Sequence, residues 1–279
     1  MGRTSLVATA AGVAGLTSVV GLIGLAVFGG GTWPTGSILL AQGAAPPTAV
    51  PLFFSEPWQQ TGPYNEASEF RPQHPVTAAA VTSPNRELTV YDPMVDRIPA
   101  LLESPPARTT PVDWRGPTCL LMSGYDQNVD ADRTPPTDPP NLWTGICTGG
   151  VVATLKDRSN YVDLTGMARI RWVTRTSGFH VVRPVVKLAD GTWLVGDYAE
   201  GAHSTNSTHF LESEFPIAPI RWLALDMARV VTQGTWVENP DLSRVDEVGF
   251  ADLLPGSGHG WGGFVNVGTF EVYGRPVPR

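Results

Sequence analysis

Hydrophobic and polar positions divide the 279-residue chain into three stretches. The first carries no formal charge for 52 residues between Arg3 and Glu56. Within it, Leu6 to Phe28 is a run of 23 uncharged, mostly apolar residues. As a helix it would extend about 35 Å, enough to cross a hydrocarbon core of about 30 Å, so it predicts one transmembrane helix. The last stretch shows the two-residue period of strands. Ala168–Arg175 alternates apolar with basic residues, and His180–Leu188 does so more loosely. Asp190-Gly191 then makes a hairpin turn into Thr192–Gly196. Val245–Leu253 and Phe264–Tyr273 are two further strands. Val151–Leu155, Thr118–Met122, Phe210–Phe215 and Ala228–Thr232 are shorter candidates. One short helix is expected around Arg221–Met227.

Composition separates the middle stretch from its neighbours. Of the 26 prolines, 19 lie before Asn141, and proline disfavours helix at its own and the preceding position. The expected organisation is therefore an anchor over 1–28, a Pro-rich extended arm over 29–111, and a folded β domain over 112–279. The anchor competes with a cleaved signal peptide, which has the same basic start at Arg3. Its apolar run exceeds a usual signal core, and Trp33 stands just past it, where interfacial aromatics collect. Either way the rest of the chain is exported; with the anchor retained, the expectation is a single-pass inner-membrane protein with its N-terminus cytoplasmic and its domain periplasmic. The arm carries Phe53, Phe54, Trp58, Tyr64 and Phe70. A solvated spacer has little use for such groups. They are expected to anchor on a partner protein, the alternative being that they pack back on the chain's own domain.

Dense short strands separated by Gly, Pro, Asn and Asp predict an all-β antiparallel sandwich of the jelly-roll kind. The run Tyr161–Trp172, the Arg183–Gly196 hairpin and the closing strands from Val245 and Val267 resemble galactose-binding-like jelly rolls. The pattern is similar to the complex I intermediate-associated protein type and to exported bacterial proteins of unassigned role. That resemblance implies a carbohydrate-binding module or an accessory subunit of a larger complex.

Candidate chemistry is sparse. A net charge of −7 gives no general basic footprint for nucleic acid. No G-x-S-x-G elbow, P-loop lysine or C-x-x-C-H haem motif is present. The spacing of His203, His209, Glu212 and Glu214 matches no metal motif, so neither metal nor cofactor is expected. Asp246 and Glu247 are adjacent on a strand and should point to opposite faces, which excludes them as a working pair. His180 begins an apolar strand and is read as a structurally bonded histidine. The glycine-rich run Gly256–Gly263 is expected to be a hairpin loop whose His259 and Trp261 contact a partner or a sugar. In an oxidising compartment, Cys119 and Cys147 are expected to form a disulfide, with two buried thiols as the alternative.

These features lead to a non-enzymatic, membrane-anchored accessory subunit. It would dock through helix and arm on a membrane complex, respiratory or photosynthetic, against membrane lipid. The alternatives are an exported carbohydrate-binding module and an exported hydrolase without a recognisable motif.

Overall fold

The computed structural model describes residues 49–60, 74–95, 118–124, 138–199, 209–255 and 263–279. All belong to one compact unit, Pro46–Arg279. The expected helix over Leu6–Phe28 lies outside the described residues. Among those described, no helix is long and apolar enough to cross a membrane.

The architecture is two antiparallel sheets facing one another. Strands in chain order are β1 (Leu52–Glu56), β2 (His74–Pro75), β3 (Arg86–Tyr91), β4 (Leu121–Ser123), β5 (Asn141–Trp143), β6 (Val151–Asp157), β7 (Asn160–Asp163) and β8 (Arg169–Gly178). They continue as β9 (Arg183–Leu188), β10 (Trp193–Gly196), β11 (Leu211–Pro216), β12 (Trp222–Asp226), β13 (Val231–Val237), β14 (Val245–Asp252), β15 (Gly263–Tyr273) and β16 (Arg275–Pro278). A seven-stranded sheet has the order β11-β8-β15-β5-β4-β2, with β1 also paired to β15. A nine-stranded sheet has the order β13-β12-β10-β9-β14-β6-β3, with β7 also paired to β14 and β16 to β7. Ile170, Trp172, Phe270 and Leu142 of the first sheet share a buried core with Leu155, Val186, Trp222 and Phe250 of the second. Inward burial alternates along β8 with period two, as its sequence predicts.

The arm is corrected over three stretches, the shortest being β2, which pairs with β4. β1 pairs with β15 and β3 pairs with β6, so parts of 29–111 are strands of the sandwich. Phe54 and Trp58, expected to anchor a partner, are each 4% exposed in the chain's own core. Trp58 donates its indole N–H to the Gly268 carbonyl at 2.6 Å. Phe53 is half-buried and packs against the same core. The reason is non-local: the ladder that takes up β1 comes from more than 200 residues downstream. A buried ion pair, Arg86 to Glu56 at 3.0 Å, ties β1 of one sheet to β3 of the other. The same carboxylate accepts the backbone N–H of Trp58 and of Thr82.

The helix expected at Arg221–Met227 is instead strand β12 and the start of a turn. Trp222 faces the central core and Leu223 a second cluster on the opposite face. A strand covered on both sides loses its alternation and reads as a continuous apolar run. Residues 228–230, expected as strand, complete that turn before β13. Trp143 is buried in β5.

Candidate functional site

The outer faces of the two sheets differ in kind. On the seven-stranded sheet, Arg169, Arg171 and Arg175 face outward and pair with Glu214, Glu212, Glu271 and Asp138 at 2.8–3.0 Å. Such a half-exposed ladder is an ordinary solvated face, and its pairs contribute little each.

The outer face of the nine-stranded sheet is mostly apolar. Val152, Val185, Val195, Leu225, Val230 and Ala251 form a buried cluster there, joined by half-buried Tyr91, Trp193, Leu223 and Met227. In a flat sheet, Tyr91 on β3 and Trp193 on β10 would stand about 19 Å apart, four strand spacings. Their ring centroids are 4.9 Å apart, edge to face. The backbone of Gly150, just before β6, abuts Val230 beyond β12, so that a Cβ on Gly150 would lie 2.4 Å from the Val230 carbonyl oxygen. The sheet is therefore coiled, with diagonal corners meeting over its outer face. The resulting trough is filled by the chain itself rather than left open.

A charged cluster closes one end of this trough. The Glu247 carboxylate accepts from Lys187 Nζ at 2.8 Å, from the Thr154 hydroxyl at 2.5 Å and from the Tyr91 hydroxyl at 3.3 Å. Asp246 meets Lys156 at 3.4 Å, Lys187 at 3.6 Å and Arg279. The sequence has 17 arginines but only these two lysines, and both serve this cluster. Asp246 and Glu247 were expected on opposite faces. A register shift between Val245 and Glu247 breaks the alternation, and both carboxylates reach one ammonium. The hydrogen bond that Lys187 donates to Glu247 raises the Lys187 pKa above the ordinary lysine value. Burial alone would raise that of Asp246, but the Arg279 hydrogen bond and charge, with both lysines, outweigh it and hold it low. Burial and the neighbouring Glu247 push the Tyr91 phenol up, so it stays a neutral donor at physiological pH.

At the far edge of the same sheet the surface is open. Trp236 on β13 lies opposite Leu223 and is 41% exposed. It stands on the rim of a pocket of about 330 Å³. The walls are the connections on either side of the β12–β13 hairpin: Ile217, Ile220 and Arg221 on one side, Glu238, Asn239 and Pro240 on the other. The Arg221 guanidinium lies 4.2 Å from the Trp236 ring centroid. Asp197 holds that arginine twice, accepting from Nε at 2.9 Å and from its backbone N–H at 3.0 Å. The indole and its cation are thus placed before any ligand arrives. Asn239 takes a positive φ of 47°, which asparagine tolerates better than most residues.

Other expected residues fall elsewhere. Trp33, Tyr64, Phe70, His259 and Trp261 lie outside the described residues. Cys119 and Cys147 are joined in a disulfide, with Cα atoms 4.9 Å apart. It sits in a small core with Leu121, Trp143 and Ile146. His180 is 1% exposed, and its Nδ1 lies 2.7 Å from Asp252. Asp252 also accepts from the Thr144 hydroxyl at 2.7 Å, which in turn accepts from Val265 N–H at 2.9 Å. An aspartate orienting an imidazole is part of hydrolase chemistry. Here all members are buried, and the network bonds one sheet to the other. Among the described residues, no group of three His, Cys, Asp or Glu is placed to hold a metal ion. No motif in the sequence marks Trp236, Arg221 or Asp197 as a site. Their convergence depends on a ladder contact between β10 and β12, and only the exposed tryptophan left any signal.

No family model matches the chain, and no curated protein matches it. Among solved structures it is similar to the family 11 carbohydrate-binding module of the cellulosomal cellulase Lic26A-Cel5E of Clostridium thermocellum, at 14% identity and a TM-score of 0.32. That match covers 60% of this chain and 94% of the other. A likeness of this size leaves the chemistry of the site to be argued from the residues alone.

Proposed function

We propose that the chain is a non-catalytic saccharide-binding domain whose contact point is the Trp236 pocket. The observation that carries the reading is an exposed indole held at a pocket rim by an arginine that is itself fixed. A sugar ring offers an apolar C–H face that stacks on an indole. Its hydroxyls find a guanidinium donor in Arg221 and a carboxylate acceptor in Glu238, and hydrogen bonds to charged groups are the stronger kind. The pocket volume lies at the low end of the range of about 300–1,000 Å³ typical of small-ligand sites. Electrophoresis of the protein through gels containing soluble β-glucan, xylan or galactomannan tests the reading. Retardation in at least one gel, abolished by Trp236→Ala, is the expected result. No retardation of the wild-type protein in any gel would overturn it.

A second reading, the membrane-anchored accessory subunit, is supported by the uncharged run Leu6–Phe28 in the sequence. Burial of Phe54 and Trp58 in the chain's own core removes two of the side chains first counted in its favour. Recovery of the full chain in the membrane fraction after alkaline washing, together with a stable co-purifying complex, would support it. A free monomer from gently solubilised membranes would sink it.

A further inference from the structure

The β12–β13 hairpin carries the Trp236 pocket at one end and the Val230 turn at the other. Val230 is fully buried among Val152, Val185, Val195 and Ala251, yet its φ is +52°. A β-branched residue in that region is a genuine outlier, kept only where its surroundings over-determine it. What holds it is the trough beneath and the Gly150 backbone alongside, which leaves no room for a Cβ. Among the described residues, β13 has no ladder partner besides β12. That ladder is interrupted: Leu223 faces Trp236 but Leu225 faces Thr232, and Gly234, with a φ of +73°, sits within the bulge. Six of the seven β13 residues are exposed. The strand is therefore held by two short contacts, one beside the turn and one beside Trp236.

We infer that the Val230 turn is a clasp for the binding site: docked against Gly150 it holds β13 and keeps Trp236 stacked on Arg221, and undocked it lets the strand and the indole leave the pocket. This rests on the saccharide reading only for its consequence in binding; the clasp itself is a property of the hairpin. Gly150 and Val230 are then positioning residues for a pocket that neither of them lines. The strained φ also gives the turn a reason to open, because release relaxes Val230.

Gly150→Ala in the full chain is the direct test. The added methyl group meets a backbone carbonyl rather than a movable side-chain end. Two readouts need no ligand. Amide exchange over Val231–Val237 reports local opening, and oxidation of Trp236 by N-bromosuccinimide, located by mass spectrometry, reports release of the indole. The expected result is at least tenfold faster exchange in β13 with β14 unchanged, faster oxidation of Trp236, and lost retardation in any gel that retards the wild type. Unchanged β13 exchange would overturn the clasp. So would faster exchange with both oxidation and retardation unaltered. If Gly150→Ala unfolds the whole domain, lengthening the turn by two glycines after Ala228 loosens the docking without touching Gly150, and the same readouts decide. A wild-type protein retarded by no gel sinks the saccharide reading, while exchange and oxidation still judge the clasp.

Discussion

At the residue scale, side chains of one type do opposite work according to what covers them. Trp172 and Trp222 are core residues, whereas Trp236 is two-fifths exposed and braced by a cation. Substitution of an exposed side chain away from caps and buried networks usually changes stability by less than about 0.5 kcal/mol. Trp236→Ala is therefore expected to weaken saccharide binding at least tenfold while leaving the urea midpoint nearly unchanged. Arg86→Ala should do the reverse. It strands the buried Glu56 carboxylate, and breaking a buried pair costs about 3–5 kcal/mol. A chemical denaturation curve distinguishes the two.

The Lys187 cluster gives a pH prediction at the same scale. The folded pKa of Lys187 is raised, so its contribution is complete below the unfolded value of 10.5 and is lost as pH rises through the folded value. The folded pKa of Asp246 is lowered, so its contribution is present above 3.8 and is lost as pH falls through the folded value. Lys187→Met should therefore be destabilising between about pH 5 and pH 9. The gap from wild type should close on moving well above pH 10.5. Urea midpoints across that range check it, and a gap independent of pH would contradict it.

At the element scale, the disulfide and the hairpins show how local patterns acquire meaning. Cys119 and Cys147 are 28 residues apart, and cross-linking a loop of that length stabilises by about 3.6 kcal/mol in the chain-entropy picture. Reduction should lower the unfolding free energy by roughly that amount, measurable by denaturation with and without a reducing agent. The β9–β10 hairpin was legible because Asp190-Gly191 stands between two apolar runs, and Lys187 pairs across it with Trp193. β12 was not, because its two faces meet two different clusters and no period survives. β1 and β3 were also hidden. Prolines around them announced an arm, and only β15 and β6, far away in sequence, supply their ladders.

At the scale of the whole molecule, the domain has a central core between the sheets and a second one in the coiled outer face of the larger sheet. That second core fills the outer face of the larger sheet, and the Trp236 pocket lies at its edge. The sequence by itself determined the all-β class, most strand positions from Val151 onward and the candidate cysteine pair. It could do so because period-two alternation and turn residues are local properties. Only the tertiary structure decided which aromatics became core, that Asp246 and Glu247 share one lysine, and that Trp236, Arg221 and Asp197 converge. Each of those outcomes depends on a bulge, on sheet coiling or on a long-range ladder. Such features are set by how distant strands pack, and no window of neighbouring residues contains them.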